Sequence, residues 1–260
     1  MPKFSANLST MFQEHPFLDR FAAAKSAGFD AVEFQFPYAF PVADVVARVE
    51  ALGLEVILFN LPPGDFARGE RGIACLPGRE AEFRDGIDLA LSYALPLRCK
   101  TLNCLAGLLP ETVARDEARR TLLANLAVAA ERLAANGIQL VIEPINSYDM
   151  PRFFVNRSSE ALALMDALKP HDVKLQYDVY HMQRMEGELM NTLTRLLPRI
   201  GHIQIADNPG RHEPGTGEIN FPAVFRHLDA IGYTGLVGCE YTPKAGTVDG
   251  LVWREQMGLA

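Results

Sequence analysis

The chain has 260 residues, of which 48% are hydrophobic and 22% charged, a composition typical of an ordinary globular protein. Its formal net charge of −7 argues against a protein that binds duplex nucleic acid, which would need clustered Lys and Arg. No apolar run reaches the roughly eighteen residues of a membrane span, and the first residues lack the apolar core of a signal peptide. We therefore expect a reduced, cytoplasmic protein whose four cysteines are buried free thiols.

Strand-like and helix-like segments alternate along the chain. Short apolar runs predict strands at 4–8, 31–35, 54–60, 101–105, 139–143, 173–178, 201–206 and 236–240. Amphipathic patterns predict helices at 16–27, 42–52, 79–94, 112–136, 158–168, 189–197 and 222–231, with a short final helix at 249–257. Ser158 is the predicted N-cap of the fifth helix.

This alternation predicts the fold class. Eight strand–helix units in about 250 residues are typical of a closed α/β barrel, (β/α)8, forming one domain over residues 1–260. The strands are mostly continuous apolar runs, as expected when both faces of a parallel sheet are buried. An open doubly wound sheet is the main alternative, but its Gly-rich phosphate turn after an early strand is absent.

Four polar residues close the last four predicted strands: Glu143, Asp178, Gln204 and Glu240. In a barrel, functional residues lie at the carboxyl ends of strands, so these side chains are expected to converge. Each one alone could equally be a solvated strand-end residue or an N-cap. Together, three acids and an amide would repel one another without a cation, and oxygen ligands favour Mg²⁺ or Mn²⁺. The sequence therefore predicts a divalent metal site and an enzyme.

Two histidines lie close in sequence to these residues. His181, three residues after Asp178, could polarise a substrate oxygen or orient a ligand, although a hydrogen-bonded loop histidine is equally consistent. His202 precedes Gln204 by two residues and so points to the same side of its strand. A core histidine is an equally good interpretation of His202.

Several segments carry a resemblance to a known family. Among them are GERGIAC at 69–75, IEPIN at 142–146, QYDVYHMQR at 176–184, GHIQIAD at 201–207, EPGTGEIN at 213–220 and GCEY at 238–241. The chain resembles the hydroxypyruvate isomerase family, within the xylose isomerase-like TIM barrels that also include ketose 3-epimerases. The similarity runs nearly end to end. Gln204, where the wider superfamily usually has histidine, resembles the hydroxypyruvate isomerase branch.

The resemblance implies an activity and a set of residue roles. The family's metal ligands fall on Glu143, Asp178, Gln204 and Glu240, and its acid/base pair on Glu143 and Glu240. The implied reaction converts hydroxypyruvate into 2-hydroxy-3-oxopropanoate (tartronate semialdehyde) through an enediolate, in glyoxylate and carbohydrate metabolism. His181 is expected to contact the substrate.

A substrate with a carboxylate needs a cation to hold it, and a bidentate Arg–carboxylate pair is the usual solution. Arg71 and Arg211 are the candidates that the resemblance favours, with Arg79 a weaker one. The long loops at 61–78 and 209–220 could be lids over the barrel mouth or ordered surface loops. Glu218, in the second loop, could lie near the site or form a surface pair.

Other functions use the same fold. Isomerisation of 2-oxo-tetronate and 3-epimerisation of a free ketose would share the metal and the glutamates. A DNA-repair endonuclease would need several zinc ions and many histidines, whereas this chain has 6. A non-catalytic sugar-binding barrel would not require both glutamates. We expect a small hydroxy-oxo acid as the partner, no nucleic acid and no membrane, and a homo-oligomer is one alternative for the assembly.

Overall fold

The computed structural model describes residues 2–258. Within them, the strands form a closed parallel barrel in which each strand pairs with its neighbours in chain order. The strands are β1 (Lys3–Asn7), β2 (Ala31–Glu33), β3 (Glu55–Asn60), β4 (Thr101–Cys104), β5 (Gln139–Ile142), β6 (Lys174–Asp178), β7 (Ile200–Ile205) and β8 (Leu236–Cys239). The pairs Phe4↔Val237 and Ser5↔Gly238 join β1 to β8. The predicted (β/α)8 barrel is confirmed.

The helices surround the barrel. They are α1 (Phe17–Ser26), α2 (Val42–Leu52), α3 (Glu80–Leu97), α4 (Arg115–Ala134), α5 (Ser158–Ala167), α6 (Val179–Met185), α7 (Leu189–Leu196), α8 (Phe221–Ala230), α9 (Thr247–Gly250) and α10 (Val252–Gln256). The short helix α6 was not predicted, because seven residues are too few to show a helical period. It begins directly after β6, where the side chain of Asp178 caps it.

The predicted N-cap at Ser158 is wrong. The N-cap position of α5 is Arg157, whose own side chain makes no capping hydrogen bond. Ser158 instead donates its backbone N–H and its hydroxyl to the two carboxylate oxygens of Glu186, both at 2.8 Å. Ser158 therefore ties α5 to the end of α6, a contact that local sequence does not reveal.

The interior of the barrel is polar near the carboxyl ends of the strands. Alternate residues of a strand point to the same face, so Asn7 follows Ser5 inward and Gln204 follows His202. The polar and charged strand residues that are at most 5% exposed are Ser5, Asn7, Glu33, Asn103, Gln176, Asp178, His202 and Gln204. Burying so many polar groups is unfavourable unless they bond to each other or to a ligand.

Apolar packing between helices and strands stabilises the other face of the sheet. Phe4 of β1 contacts Phe225 of α8 and Trp253 of α10 edge-on, with ring centroids 5.3 and 5.2 Å apart. Trp253 is 1% exposed, so α10 packs against β1 and α8. The four cysteines are buried free thiols, as predicted, and burial raises the pKa of Cys75 to about 12.

Candidate active site

The four predicted strand-end residues lie at one end of the barrel. Glu143 follows β5, Asp178 ends β6, Gln204 is next to last in β7, and Glu240 follows β8. Each is at most 5% exposed. A cavity of about 220 Å³ at this end is lined by Glu143, Gln204 and Glu240, among others. Asp178 is fully buried and pairs with Gln204 across β6 and β7.

Asp178 uses its two oxygens differently. Oδ1 accepts hydrogen bonds from the backbone N–H groups of Tyr180 (2.7 Å) and His181 (3.4 Å) at the start of α6. Oδ2 is buried and accepts no hydrogen bond from the described residues. His181 Nε2 lies 3.6 Å from this atom and 3.8 Å from Glu143 Oε1. Asp178 therefore offers one free oxygen beside Glu143 and His181.

Glu143, Asp178 and His181 could hold a metal ion. Each offers one ligand atom, and these atoms lie within 4.8 Å of one another. The orphaned Asp178 Oδ2 is the observation that fits a cation, because a buried carboxylate oxygen is unfavourable without a partner. The structure thus adds His181 to the candidate ligands, whereas the sequence placed it against the substrate.

Glu240 lines the same cavity as Glu143. Its Oε1 accepts a hydrogen bond from Gln35 Nε2 at 2.8 Å. Its Oε2 is buried, accepts no hydrogen bond within the described part of the chain, and lies 3.4 Å from Arg211 Nη2. Glu143 is held in a similar way, because Asn103 Nδ2 donates to its Oε2 at 3.0 Å. Each glutamate therefore has one oxygen fixed by an amide.

Burial and mutual repulsion change the pKa values of these groups. Burial, and then the charges of Glu240 and Asp178, raise the pKa of Glu143 well above its usual value. Burial raises the pKa of Glu240 to about 7 against the opposing charge of Arg211, and it also raises the pKa of Asp178. A divalent cation would relieve this repulsion.

His181 is affected in the opposite sense. Burial, and then the positive charges of Arg211 and Arg184, hold the pKa of His181 well below its usual value. The imidazole is therefore neutral at pH 7. A neutral imidazole has one N–H donor and one acceptor nitrogen, so the position of its proton decides what it can bind.

A layer of hydrogen bonds beneath the cavity holds Gln204. Its Oε1 accepts from Gln176 Nε2 at 2.6 Å, and its Nε2 donates to Glu33 Oε1 at 2.7 Å. Glu33 also bonds to His202 Nε2 at 2.8 Å. Burial raises the pKa of Glu33, but the charge and hydrogen bond of His202, with the other donors, lower it overall. His202 is thus a core histidine that pairs with a buried carboxylate.

The three candidate arginines differ in their surroundings. Arg211 and Arg71 both line the cavity. Arg71 donates to the backbone oxygens of Phe66 and Glu70 and stacks over the Phe66 ring. Arg79 is paired with Glu70 and Glu82. Arg211 has a buried Nε without an acceptor among the described residues, so it has the most donor capacity left for a ligand.

Asp207 organises the loop that carries Arg211. Its carboxylate accepts from four backbone N–H groups of this loop at 2.9–3.0 Å, those of Asn208, Gly215, Gly217 and Ile219. Its own backbone oxygen accepts from Arg211 N at 2.8 Å. Glu218 in the same loop is exposed and bonds to Gln183 and Asn208, which agrees with the surface interpretation.

Sequence reasoning missed several residues of the site. Gln35 and Asn103 hold the two glutamates, Glu33 holds Gln204, and Asn146 contacts His181 Nδ1 at 2.7 Å. Gln35 closes the second predicted strand, so the strand-end rule would have found it if applied to all strands. Glu33 and Asn103 fall inside the predicted strands at 31–35 and 101–105, although Glu33 ends β2 in the structure. No sequence signal separates them from structural residues.

Comparison with known proteins identifies the family. Residues 21–257 match the family model described as a xylose isomerase-like TIM barrel. The chain is 51% identical over 253 residues to the 2-oxo-tetronate isomerase of Cupriavidus necator, covering 97% of each. It is 49% identical over 255 residues to the hydroxypyruvate isomerase of Escherichia coli, covering 98% of this chain and 99% of that one. The chain belongs to the hydroxypyruvate isomerase family of xylose isomerase-like TIM barrels.

Solved structures agree with this assignment of the fold. A structure described as an AP endonuclease, family 2, from Brucella melitensis has a TM-score of 0.95 and 45% identity, covering 98% of this chain and 99% of that one. An L-ribulose 3-epimerase has a TM-score of 0.74 at 24% identity, covering 98% and 86%, and shows the fold alone. Membership of the family makes the protein an isomerase, as predicted. None of the helices in residues 2–258 is long and apolar enough to cross a membrane.

Proposed function

We propose that the protein is a metal-dependent isomerase that interconverts hydroxypyruvate and 2-hydroxy-3-oxopropanoate through an enediolate. The observation that carries the proposal is the placement of Glu143 and Glu240 on one small cavity. Each has one oxygen held by an amide, which leaves the other oxygen to accept or deliver a proton. The hydroxypyruvate isomerase of Escherichia coli, at 49% identity, supports this choice of substrate.

We assign the metal to Glu143, Asp178, Gln204 and Glu240, with Mg²⁺ or Mn²⁺ as the ion. Carboxylate and amide oxygens suit these hard cations. The unpartnered Oδ2 of Asp178 and Oε2 of Glu240 support the assignment. When bound, the ion would stabilise negative charge that develops on a substrate oxygen.

The two glutamates are the proposed catalytic residues. One takes a proton from C3 of hydroxypyruvate, which gives the enediolate. The same residue or its partner then returns a proton to C2, while the hydroxyl proton passes from the C3 oxygen to the C2 oxygen. Without a bound ion, burial raises the pKa of Glu240 to about 7. A bound cation would favour the ionised carboxylate, which is the form that a general base requires. His181 contacts a substrate oxygen, and Arg211 and Arg71 hold the substrate carboxylate.

The size of the cavity favours a short substrate. Its volume of about 220 Å³ lies below the roughly 300–1,000 Å³ of sites for drug-sized ligands. A three- or four-carbon acid suits this space, so isomerisation of 2-oxo-tetronate is the alternative, supported by the relative from Cupriavidus necator. A ketose 3-epimerase with the same metal site is a further alternative, but a free ketose has no carboxylate for Arg71 and Arg211.

Endonuclease activity, which the description of the Brucella melitensis protein suggests, does not suit this site. The cavity is too small for a nucleotide strand, and the net charge of −7 does not attract a phosphate backbone. No cluster of several histidines lies at the strand ends within the described residues, where His181 contacts the acids and His202 pairs with Glu33.

The test compares substrates on metal-stripped protein. Mg²⁺ or Mn²⁺ is added back, and proton NMR in D₂O follows hydroxypyruvate, 2-oxo-tetronate and a ketohexose. We expect metal-dependent turnover of hydroxypyruvate, with deuterium entering at C2 of the product. Preference for 2-oxo-tetronate or the ketohexose would change the substrate, and no turnover of any of the three would contradict the proposal.

Two variants test the roles of the glutamates. Glu143→Gln and Glu240→Gln should each lower kcat by roughly 10²- to 10⁴-fold, the usual contribution of a general acid or base. Metal binding is measured separately by calorimetry, so that loss of the ion is distinguished from loss of the proton carrier. Glu218→Gln is the matched control, because Glu218 is exposed and lies outside the cavity lining. Full activity in both variants would reject the pair.

A further inference from the structure

We propose that Asn146 fixes the tautomer of His181, so that Nε2 carries the proton and the imidazole is a hydrogen-bond donor in the cavity and not a metal ligand. This inference rests on the proposed function, because it assigns the part that His181 plays beside the two glutamates. Asn146 is a positioning residue here, since it acts through His181.

The orientation of the Asn146 amide follows from its partners. Its Oδ1 accepts hydrogen bonds from the backbone N–H groups of Tyr148 (3.0 Å) and Asp149 (2.9 Å), which can only donate. Its Nδ2 donates to the Asp149 carboxylate at 3.0 Å. In the flipped orientation, the amide NH₂ would face the two backbone N–H groups, and the amide oxygen would face the Asp149 carboxylate. Such a change loses three hydrogen bonds at a residue that is 0% exposed.

The second hydrogen of the Asn146 amide therefore points at His181. Nδ2 and His181 Nδ1 are 2.7 Å apart, and because the amide nitrogen only donates, Nδ1 must be the acceptor. A neutral imidazole with a lone pair on Nδ1 carries its proton on Nε2. The amide thus sets the tautomer from the far side of the ring.

The proton on His181 Nε2 occupies the position from which this nitrogen would otherwise bind a metal ion. Nε2 is 3.6 Å from Asp178 Oδ2 and 3.8 Å from Glu143 Oε1. A protonated nitrogen has no lone pair for a cation, so only the two acids of this convergent set remain as ligands. His181 can therefore donate a hydrogen bond to an acid or to a substrate oxygen. In the second case it would stabilise negative charge that develops on that oxygen.

The surroundings keep this arrangement in place. Asp149, the acceptor of the other Asn146 hydrogen, also accepts from Tyr180 O–H at 2.6 Å and pairs with Arg184 at 3.0 Å. His181 is 1% exposed, and its own backbone N–H is held by Asp178. Rotation of the ring or the amide would break this connected set of bonds, which favours a single tautomer.

The experiment observes the proton directly. Long-range ¹H–¹⁵N correlation spectra of the ¹⁵N-labelled full chain distinguish Nε2–H from Nδ1–H imidazoles, with and without Mg²⁺, which is diamagnetic. His181→Gln identifies the His181 signals among the 6 histidines of the chain. We expect Nε2–H for His181 in both samples. A proton on Nδ1 in the parent protein would overturn the proposal without any further variant.

A paired substitution tests the cause. In Asn146→Asp combined with Asp149→Asn, a carboxylate faces His181 Nδ1 while residue 149 supplies the amide donor. The Nδ1 position should then become protonated, whereas Asp149→Asn alone should keep Nε2–H. An unchanged Nε2–H tautomer in the double variant would show that Asn146 does not set it.

Metal binding provides a second test of the role of His181, and this measurement needs no substrate. His181→Gln should change the dissociation constant for Mn²⁺ by no more than about tenfold, which is the lower end of the effect of residues outside the ligand set. Asp178→Asn is the comparison and should weaken Mn²⁺ binding much more. Equal losses in the two variants would make His181 a ligand and overturn the proposal. A wrong substrate assignment would alter neither measurement.

Discussion

The guanidinium of Arg211 lies 3.4 Å from the carboxylate of Glu240, yet that carboxylate oxygen accepts no hydrogen bond from residues 2–258. The backbone of Arg211 has a φ of 56°, in the left-handed region that residues other than glycine rarely adopt. Its side chain lines the cavity and is 30% exposed. The loop therefore places a cation with unused donors where a substrate anion would arrive.

Substitution of Arg211 should weaken binding of the substrate carboxylate. Arg211→Gln should lower kcat/KM for hydroxypyruvate by roughly 10- to 100-fold, because hydrogen bonds to charged groups contribute about 1.5–3 kcal/mol. Arg71→Gln should have a smaller effect, since Arg71 already donates to the backbone oxygens of Phe66 and Glu70. Steady-state kinetics measure both. A larger loss of kcat/KM in Arg71→Gln would show that Arg71, and not Arg211, is the main contact of the substrate carboxylate.

Glu240 should make the stability of the metal-stripped protein depend on pH. Its pKa is about 7 in the folded chain against an ordinary 4.5, so the folded state binds more protons between these values. Stability from this group is therefore present at low pH and lost as the pH rises through 7. Between pH 4.5 and 8, the unfolding free energy of Glu240→Gln should rise relative to the parent by about 1–3 kcal/mol.

Urea denaturation in the presence of a chelator at the two pH values measures this difference. Added Mg²⁺ should reduce it, because the ion stabilises the ionised carboxylate. A difference between variant and parent that is the same at both pH values would show that Glu240 titrates normally.

Asp207 should be essential for the loop that carries Arg211. Asp207→Ala leaves four backbone N–H groups without their acceptor and should destabilise the protein by about 3 kcal/mol. It should also lower kcat/KM, because Arg211 loses its support. Thermal unfolding and kinetics measure the two effects, with Glu218→Gln as the control from the same loop. Normal stability and activity of Asp207→Ala would contradict this account.

Gly238 leaves the space that the buried carboxylate of Glu33 occupies. A methyl group at position 238 would lie 2.3 Å from Glu33 Oε2, which is too close for any contact. Gly238→Ala should displace Glu33 and with it Gln204, at a cost of about 3 kcal/mol or more in the unfolding free energy.

Gly86 in α3 is the matched control, because the nearest atom to its added methyl group, in Pro62, is 3.4 Å away. Gly86→Ala should be neutral or slightly stabilising, as expected for a helical glycine. Chemical denaturation of both variants tests the prediction. Equal stability of the two would mean that the barrel interior accommodates the extra methyl group.

The strands and the residues at their ends could be predicted because both depend on local patterns. Apolar runs located all eight strands to within a few residues, and the barrel geometry then brought Glu143 and Glu240 to one cavity. The contacts of Glu33 could not be predicted, because they join residues from three strands, β1, β2 and β7, of which β7 is distant in sequence. Helix α6 was missed since a side-chain cap, and not a periodic pattern, starts it.

Asp178 has both a structural and a site role, since its Oδ1 caps α6 and its Oδ2 faces Glu143 and His181. The carboxylate therefore connects the end of β6 to the start of α6, the helix that bears His181. A variant that lacks this carboxylate would lose the acid of the site and would also destabilise α6. Inactivity of such a variant would indicate lost chemistry only if hydrogen exchange showed the amides of α6 still protected.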